Sequence, residues 1–416
     1  MIIPSIDLMG GKVVQLEQGK KKKLELANYE SLIDKFSILG EISLIDLDAA
    51  IGKGDNIKII KDICKKIDCR VGGGIRDIGR AKEMIKLGAS QIIIGTSAFD
   101  KKGINKIFLE DLKKEIGKER IIIAIDTNKG NISIKGWTQE LDVKTEDIVK
   151  ELEPYCSEFL LTIVDKEGLM KGTDIDFIKK IKDKTSNVIT AAGGISSYDE
   201  IKKLEEMEVN SVLGMALYSK KITLEESFIS SLKFNERGLI PTIVESGDGQ
   251  VLMFAYSNKE SLLKAFSTKK GWYFSRSRDK LWMKGEESGN TQDILQIKKD
   301  CDGDVVLFKV KQKNFACHRG TYSCFGKREF SLEELYEVLL DRVKNPMEGS
   351  YTSKISSDEN KIMEKIAEES EEVINYEDDD NLVWEIGDLI YFLLVLMAKK
   401  GIKISDIKRE LRRRRK

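Results

Sequence analysis

Residues 71–99, VGGGIRDIGRAKEMIKLGASQIIIGTSAF, and residues 191–218, AAGGISSYDEIKKLEEMEVNSVLGMALY, follow the same plan. Each has a β-rich run that ends in Gly-Gly-Ile, then an amphipathic helical pattern, a second β-rich run and a further glycine. PSIDL near the start and IAIDT at Asp126 form another matching pair. An internal repeat of this kind predicts a fold built from two equivalent halves.

The repeat lies within a longer alternation of β-rich runs and helical patterns. The runs are MIIPSID (1–7), EISLIDL (41–47), DCRVGGG (68–74), SQIIIGT (90–96), RIIIAID (120–126), EFLLTIV (158–164), NVITAAGG (187–194) and VNSVLGM (209–215). Buried strands that alternate with helices predict a parallel (β/α)8 TIM barrel over residues 1–228. The alternative is a doubly wound open sheet.

Composition limits the classes of function that remain. The chain has 416 residues, which is enough for several domains, and its 70 basic residues balance 70 acidic ones. This balance provides no overall field for nucleic acid or an anionic membrane. The longest apolar run, residues 389–398, is shorter than the roughly 20 residues of a bilayer span. With six cysteines and no signal peptide pattern, we expect a cytoplasmic protein without a disulfide scaffold.

The paired glycines of the repeat predict two phosphate sites at the barrel mouth. Glycine lets the backbone approach an anion closely, and the NH groups that open the next helix favour negative charge. The predicted phosphate-binding residues are Gly73, Gly74, Gly95 and Thr96 in one half, and Gly193, Gly194, Gly214 and Met215 in the other. Two opposed sites predict a long substrate with a phosphate at each end.

Two aspartates end otherwise apolar strands on opposite sides of the predicted mouth. They are Asp7 on the first strand and Asp126 on the fifth. Polar residues at this face of a barrel are typically catalytic, and two carboxylates facing one substrate suit proton removal by one and donation by the other. Helix capping or a loop salt bridge is the structural alternative.

The motifs of this half resemble a known family. IPSIDLMGGKVV, LIDLDAAIGKGDN, VGGGIR, KGW, AAGGIS and VLGMALY are similar to the histidine-biosynthesis isomerase that converts ProFAR to PRFAR by an Amadori rearrangement. The resemblance implies Asp7 as general base, Asp126 as general acid and Thr162 as a supporting polar group. The family usually has Arg at Gln15 and Arg-Asp-Gly at Lys166-Glu167-Gly168. The related cyclase, which makes imidazole glycerol phosphate, typically has Cys where this chain has Ser5.

Residues 232–328 predict a small β-rich α+β domain that binds two kinds of metal. Cys301, Cys317 and Cys324 are three thiolate ligands with a vacant fourth position, which is the pattern of catalytic zinc. His318, the only histidine, is positioned to shuttle a proton from zinc-bound water. Asp300, Asp302 and Asp304 share one face of an extended segment and predict Mg²⁺. A surface turn beside unrelated buried cysteines is the structural alternative.

This segment, with FSRSRDKLWMKGEESG, resembles phosphoribosyl-AMP cyclohydrolase. The resemblance implies that zinc-bound water opens the adenine ring, and that two subunits share the zinc ligands, so that the chain forms a homodimer through this domain. It further implies that Arg276, Arg278, Trp282 and Lys284 hold the substrate's phosphates and stack its base. The family usually has His where this chain has Asn290, which leaves more of the proton transfer to His318.

Residues 330–416 predict an all-α domain with carboxylates on shared helix faces. EESEE gives Glu368, Glu369 and Glu372, and EIGD gives Glu385 and Asp388. Facing carboxylates in a helical bundle predict Mg²⁺ and a pyrophosphate product, although an acidic run can also be a solvated face. The stretch resembles phosphoribosyl-ATP pyrophosphatase, and GSYTSKI matches the entry loop of that family. The family commonly has His at Phe392.

Together these resemblances predict three successive steps of histidine biosynthesis on small phosphorylated nucleotides, with Zn²⁺ and Mg²⁺ as cofactors. Two alternatives keep the cyclohydrolase and the pyrophosphatase active and assign the barrel differently. In the first it is a non-catalytic scaffold, and in the second it is the related cyclase.

Overall fold

The computed structural model describes residues 1–19, 21–100, 103–134 and 136–414. The chain divides into two compact units, one ending at Gly326 and one beginning at Lys327. The barrel and the β-rich domain lie together in the first unit, and the C-terminal helices form the second. The predicted barrel, β-rich domain and helical domain are all confirmed.

Eight parallel strands close into a ring. They are β1 (Ile2–Met9), β2 (Glu41–Asp46), β3 (Asp68–Gly72), β4 (Gln91–Ile94), β5 (Ile121–Asn128), β6 (Glu158–Ile163), β7 (Val188–Ala192) and β8 (Val209–Leu213). Each pairs in parallel with the next, and β8 pairs with β1. This closure excludes the open-sheet alternative. β-Branched residues fill the strands because both faces are buried, as at the fully buried Ile6, Ile123 and Ile189.

Helices surround the ring, and local capping explains where several of them begin. They are Glu30–Phe36, Leu47–Ile51, Ile57–Cys64, Ile78–Leu87, Lys106–Ile116, Thr145–Leu152, Ile175–Lys182, Tyr198–Glu206, Met215–Tyr218 and Leu224–Ser230. The side chains of Asp77, Asp174 and Ser197 each accept a backbone N–H at the start of their helices.

Short hairpins extend β1 and β5 over the barrel mouth. Lys12–Glu17 pairs with β1 and with Lys21–Leu26, and Asn131–Ile134 pairs with β5 and with Gln139–Lys144. The two half-barrels therefore carry equivalent hairpins, in keeping with the repeat. A further two-stranded pair joins Phe99–Asp100 to Gly103–Ile104.

The N-terminal end of the barrel, its floor, is filled by a buried ion pair. The guanidinium of Arg70 on β3 contacts Glu158 on β6 and donates to Glu41 on β2 at 2.9 Å. The side chains of Arg70 and Glu158 are each 6% exposed. Because β3 and β6 are not neighbours, this pair crosses the barrel interior and closes its floor.

The β-rich domain is built on a six-stranded sheet. Its strands are β9 (Ile240–Ser246), β10 (Val251–Ser257), β11 (Trp272–Ser275), β12 (Lys280–Met283), β13 (Gln292–Lys299) and β14 (Val306–Gln312). The order is β12-β11-β10-β9-β14-β13, with only the β9–β14 pair parallel. Helix Lys259–Thr268 follows β10 and begins with a capping box between Asn258 and Ser261.

This domain packs on the barrel floor. Lys299 at the end of β13 pairs with Glu205, which also binds the Met1 ammonium at 3.3 Å. The Lys233 N–H donates to the Gly303 carbonyl at 2.7 Å, and Lys269 Nζ donates to the Asp34 carbonyl at 2.8 Å. Since Met1 begins β1 and Glu205 precedes β8, these contacts lie at the end of the barrel opposite the mouth.

The second unit is a bundle of five helices. They are α1 (Leu332–Lys344), α2 (Tyr351–Ser356), α3 (Glu359–Ile374), α4 (Asp379–Lys400) and α5 (Ile404–Arg414). Leu339, Ile362 and Val395 pack in its core. By length and composition alone, α4 is long and apolar enough to cross a membrane. The shorter apolar run of residues 389–398 had predicted no membrane-spanning segment. Its buried residues Phe392, Leu394, Val395 and Ala398 belong to the core of this unit, so we describe it as a bundle helix.

Candidate functional sites

A cavity of about 710 Å³ opens at the barrel mouth. All the barrel residues predicted as site residues line it. They are Asp7, Gly73, Gly74, Gly95, Thr96, Asp126, Thr162, Gly193, Gly194, Gly214 and Met215. The cavity lies at the C-terminal ends of the strands, where TIM barrels carry their active sites.

Asp7 faces this cavity from within β1. It accepts a hydrogen bond from Ser5 Oγ at 3.2 Å, and burial raises its pKa to about 6. The carboxyl is therefore mostly ionised at neutral pH yet still basic enough to remove a proton, which suits a general base.

Asp126 faces the cavity from β5 with two hydrogen-bond partners. The indole N–H of Trp137 donates to Asp126 Oδ2 at 2.8 Å, and Thr162, its register partner on β6, also bonds to it. Burial raises the pKa of Asp126, while both hydrogen bonds oppose that rise. Asp7 and Asp126 lie inside strands, so neither caps a helix.

A third carboxylate, Glu167, lines the same cavity, and the sequence marked it only as a departure from the family. Burial raises its pKa to about 7, and the charges of Asp7 and Asp126 contribute to the shift. Its backbone carbonyl accepts the Gln18 N–H at 3.2 Å, which joins the loop after β6 to the first hairpin. The triplet Lys-Glu-Gly contained Glu167, but nothing in the sequence placed it between the two aspartates.

The two predicted phosphate cradles have matching backbones. Gly73 and Gly193 have φ of 97° and 93°, and Gly95 and Gly214 share φ/ψ values of −96°/−114° and −116°/−106°. A Cβ on Gly73 would lie 2.1 Å from the Asp46 carbonyl oxygen, and one on Gly193 would lie 2.6 Å from that of Ile163. Glycine is therefore required at both positions by conformation and by space.

The three aspartates of the β-rich domain lie together in one loop, with carboxylate oxygens of Asp300, Asp302 and Asp304 all within 4.8 Å of one another. Asp300 Oδ1 accepts the N–H groups of Gly303 at 3.0 Å and Val305 at 3.1 Å. Contact with Asp300 and the charge of Asp302 raise the pKa of Asp304. Such mutual repulsion is relieved when a divalent cation binds, so these residues fit Mg²⁺.

The structure brings together two of the three predicted zinc ligands. Cys317 and Cys324 are in contact, and hydrogen bonds from Arg319 and Thr321 lower the pKa of Cys317. Cys301 is exposed in the aspartate loop, and within the described part of a single chain its sulfur does not join the other two in one cluster. One chain therefore offers a two-thiolate pair and a separate third thiol.

The other predicted residues of this domain surround the thiol pair or lie on the neighbouring β11–β12 hairpin. Lys284 lies near Cys317 and Cys324, and burial lowers its pKa. The guanidinium of Arg276 lies 4.0 Å from the Tyr256 ring centre, and that of Arg278 lies 6.0 Å from the Trp282 ring centre. His318 is exposed next to Cys317.

In the helical unit, carboxylate oxygens of Glu369, Glu385 and Asp388 lie within 4.8 Å of one another. Glu369 is 5% exposed. Loss of hydration and the nearby charges of Glu369 and Glu385 raise the pKa of the exposed Glu372. Glu368 is exposed, because adjacent helical residues point about 100° apart. Lys365 pairs with both residues, at 2.7 Å from Glu368 and 3.3 Å from Glu369. The carboxylates that lie close enough together to share one cation are therefore Glu369, Glu385 and Asp388. Glu372 lies beside Glu369 at the edge of this group.

Phe392, where the family commonly has His, packs in the apolar core of this unit. Its ring contacts those of Tyr351 and Tyr391, with centroids 6.3 and 5.2 Å away. Thr352 of the predicted entry loop shares a 2.7 Å hydrogen bond with the Tyr391 hydroxyl. Phe392 is therefore accommodated by apolar packing, and the centre of its ring also lies 5.7 Å from Nζ of Lys365, which pairs with Glu369 of the carboxylate cluster.

Three family models match the chain in succession: histidine biosynthesis protein (residues 1–223), phosphoribosyl-AMP cyclohydrolase (253–326) and phosphoribosyl-ATP pyrophosphohydrolase (332–415). A phosphoribosyl imidazole-4-carboxamide isomerase of Methanocaldococcus jannaschii is 42% identical over 55% of this chain and 97% of its own length. The histidine biosynthesis bifunctional protein HisIE of Thermoanaerobacter pseudethanolicus is 44% identical over 44% of this chain and 99% of its own length. A histidine biosynthesis trifunctional protein of Kluyveromyces lactis is 36% identical over 52% of this chain and 27% of its own.

Proposed function

Because the chain belongs to the histidine biosynthesis protein family, with cyclohydrolase and pyrophosphohydrolase segments after its barrel, we propose that it carries out three successive steps of that pathway. Pyrophosphate leaves phosphoribosyl-ATP, the adenine ring of phosphoribosyl-AMP opens to give ProFAR, and ProFAR isomerises to PRFAR. The observation that supports the isomerase step is that two matched glycine cradles and two carboxylates line one cavity of the barrel.

In the isomerase step, Asp126 donates a proton to the furanose ring oxygen as the ring opens. Asp7 then removes the proton from C2, and the resulting enolamine tautomerises to the ketose. The raised pKa values of both groups support these roles, because burial makes each carboxyl hold a proton more readily than an ordinary aspartate does. Trp137 and Thr162 orient the Asp126 carboxyl through their hydrogen bonds.

The alternative barrel functions have less support. A barrel that had become a scaffold would not need to keep its acid, its base and both cradles around one cavity. If the barrel were the cyclase, it would be expected to have cysteine at the position of Ser5, as the cyclase family typically does. The similar protein of M. jannaschii is an isomerase.

For the cyclohydrolase step, we infer that Cys317 and Cys324 of one chain and Cys301 of a second chain hold one zinc ion. Zinc held by these thiolates would activate water as a nucleophile at neutral pH. His318 accepts and returns protons beside it, Trp282 stacks on the base, and Arg276, Arg278 and Lys284 bind the phosphates. The separation of Cys301 from the thiol pair within one chain supports a homodimer.

For the pyrophosphatase step, Glu369, Glu372, Glu385 and Asp388 would hold Mg²⁺. Mg²⁺ held by these carboxylates would supply positive charge to balance the phosphates of the leaving group. The aspartate loop of the β-rich domain would hold Mg²⁺ for the cyclohydrolase step instead. The balanced charge of the chain and its small-molecule substrates support a cytoplasmic enzyme that binds neither nucleic acid nor membrane.

The direct test is turnover by the purified full chain. With Mg²⁺ and Zn²⁺ present, phosphoribosyl-ATP should be converted to PRFAR, and elemental analysis should find zinc near one atom per chain. Accumulation of ProFAR without PRFAR would contradict the isomerase assignment, and recovery of unchanged phosphoribosyl-ATP would contradict the pyrophosphatase assignment.

Glu167→Gln should make the protein less sensitive to rising pH. The folded-state pKa of about 7 lies above the ordinary glutamate value of 4.5, so folding keeps this carboxyl protonated over a pH range in which the unfolded chain ionises. The parent therefore loses stability as pH rises from about 4.5 to 7, and the glutamine variant avoids that loss. Its melting temperature should exceed the parent's by a margin that grows up to about pH 7 and then levels.

The matched control is Glu110→Gln on an outer helix of the barrel, where the side chain is 64% exposed. Its melting temperature should follow that of the parent at every pH. A constant difference between the Glu167 variant and the parent across this range would contradict the raised pKa.

A further inference from the structure

The first hairpin contributes to the cavity a buried polar group that has no partner. Gln15, on strand Lys12–Glu17, is 3% exposed and lines the cavity. Its Nε2 is buried and makes no hydrogen bond with any described residue. A buried amide donor without an acceptor costs about 1–3 kcal/mol, and native proteins keep few of them.

The Gln15 amide lies beside the second glycine cradle, which suggests what its hydrogen-bond acceptor is. A Cβ on Gly214 would lie 3.0 Å from Gln15 Oε1 and 3.9 Å from Nε2, so the amide lies against the second glycine cradle. Gly193 and Gly194 of that cradle, with Gly214 and Met215, line the same cavity. In this orientation Oε1 is the amide atom nearer the cradle. A half-turn of the terminal amide exchanges Oε1 with the unpaired Nε2 and directs the N–H to the cradle, where it can donate to a phosphate oxygen.

We propose that Gln15 is a substrate-binding residue whose Nε2 donates to the phosphate in the second cradle, an inference that rests on the proposed isomerase function. The family usually has Arg at this position. This chain therefore binds one end of a doubly phosphorylated substrate with a neutral amide. The amide orients the phosphate through a hydrogen bond but adds no positive charge. Gly214 has a second role, since any side chain there would displace the amide.

The test compares Gln15→Met with the parent in the full chain. Methionine keeps the length of the side chain and removes the donor. The KM for ProFAR should rise about tenfold, while kcat stays within about twofold, because a contact made equally in ground and transition states affects binding alone. The ligand-free melting temperature should rise, since an unsatisfied buried donor has been removed. A residue with a purely structural role would lower it.

A second readout does not need catalysis. Inorganic phosphate should raise the melting temperature of the parent more than that of Gln15→Met. Gln15→Glu, which keeps the shape and replaces the donor with an acceptor, should show the smallest rise. An equal phosphate response in all three proteins would overturn the proposal. If the parent does not isomerise ProFAR but its phosphate response still depends on Gln15, the proposed function fails and the phosphate contact stands.

The matched control is Gln292→Met in the β-rich domain. Gln292 is also buried, but its Nε2 donates to Gln312 at 2.8 Å and its Oε1 accepts the Tyr273 hydroxyl at 2.6 Å. This substitution should lower the melting temperature and leave the KM for ProFAR unchanged. The opposite signs of the two thermal shifts distinguish a ligand contact from a core contact.

Discussion

Asp7→Asn is expected to lower kcat for ProFAR isomerisation by about 10³-fold. Asparagine keeps the size of the side chain and can still accept the Ser5 hydrogen bond, but it cannot take a proton from C2. The KM should change little, because the phosphate cradles are untouched. Steady-state formation of PRFAR from supplied ProFAR measures both constants.

The chain provides its own control for this variant. Cyclohydrolase and pyrophosphatase rates should match those of the parent, since their residues lie elsewhere. Asp174→Asn, at an exposed helix cap where asparagine also caps well, should keep full isomerase activity. An Asp7 variant that retained a tenth of the parent rate would show that Asp7 is not the base, and would revive the scaffold and cyclase alternatives.

Glu369→Gln is expected to lower pyrophosphate release from phosphoribosyl-ATP by about 10³-fold, on the scale of losing a metal-assisted charge stabilisation. Glu369 is the most buried member of its cluster, so its charge is tolerated only with compensation from Lys365 at 3.3 Å and from a bound cation. Without Mg²⁺ the variant should melt at a higher temperature than the parent, because carboxylate repulsion is relieved. Adding Mg²⁺ should raise the melting temperature of the parent more than that of the variant.

Glu371→Gln is the matched control, since Glu371 is exposed on the same helix and outside the cluster. Its pyrophosphatase rate and its response to Mg²⁺ should equal those of the parent. Normal turnover by Glu369→Gln would remove the cluster from the mechanism.

The barrel and its two half-sites could be predicted from sequence because their signals are local. β-Branched runs form strands, and paired glycines occur where the backbone must adopt positive φ, as at Gly73 and Gly193. The positions of Trp137, Glu167 and Gln15 could not be predicted, because they depend on how the loops after β1, β5 and β6 meet. The adjacent residues Glu368 and Glu369 were both predicted as ligands. Glu369 lies in the carboxylate cluster, whereas Glu368 is exposed beside Lys365 and its role as a ligand stays a prediction.

The closed barrel floor lies between the β-rich domain and the cavity at the barrel mouth. The Arg70–Glu158 pair closes the axis, and the β-rich domain is attached at that closed end, with its aspartate loop bonded to the segment that leaves the barrel. ProFAR released there has no route along the axis and must diffuse around the outside to reach the mouth. The covalent connection thus gives the cell equal copy numbers of two consecutive catalysts, and it provides no passage through the barrel from one to the other.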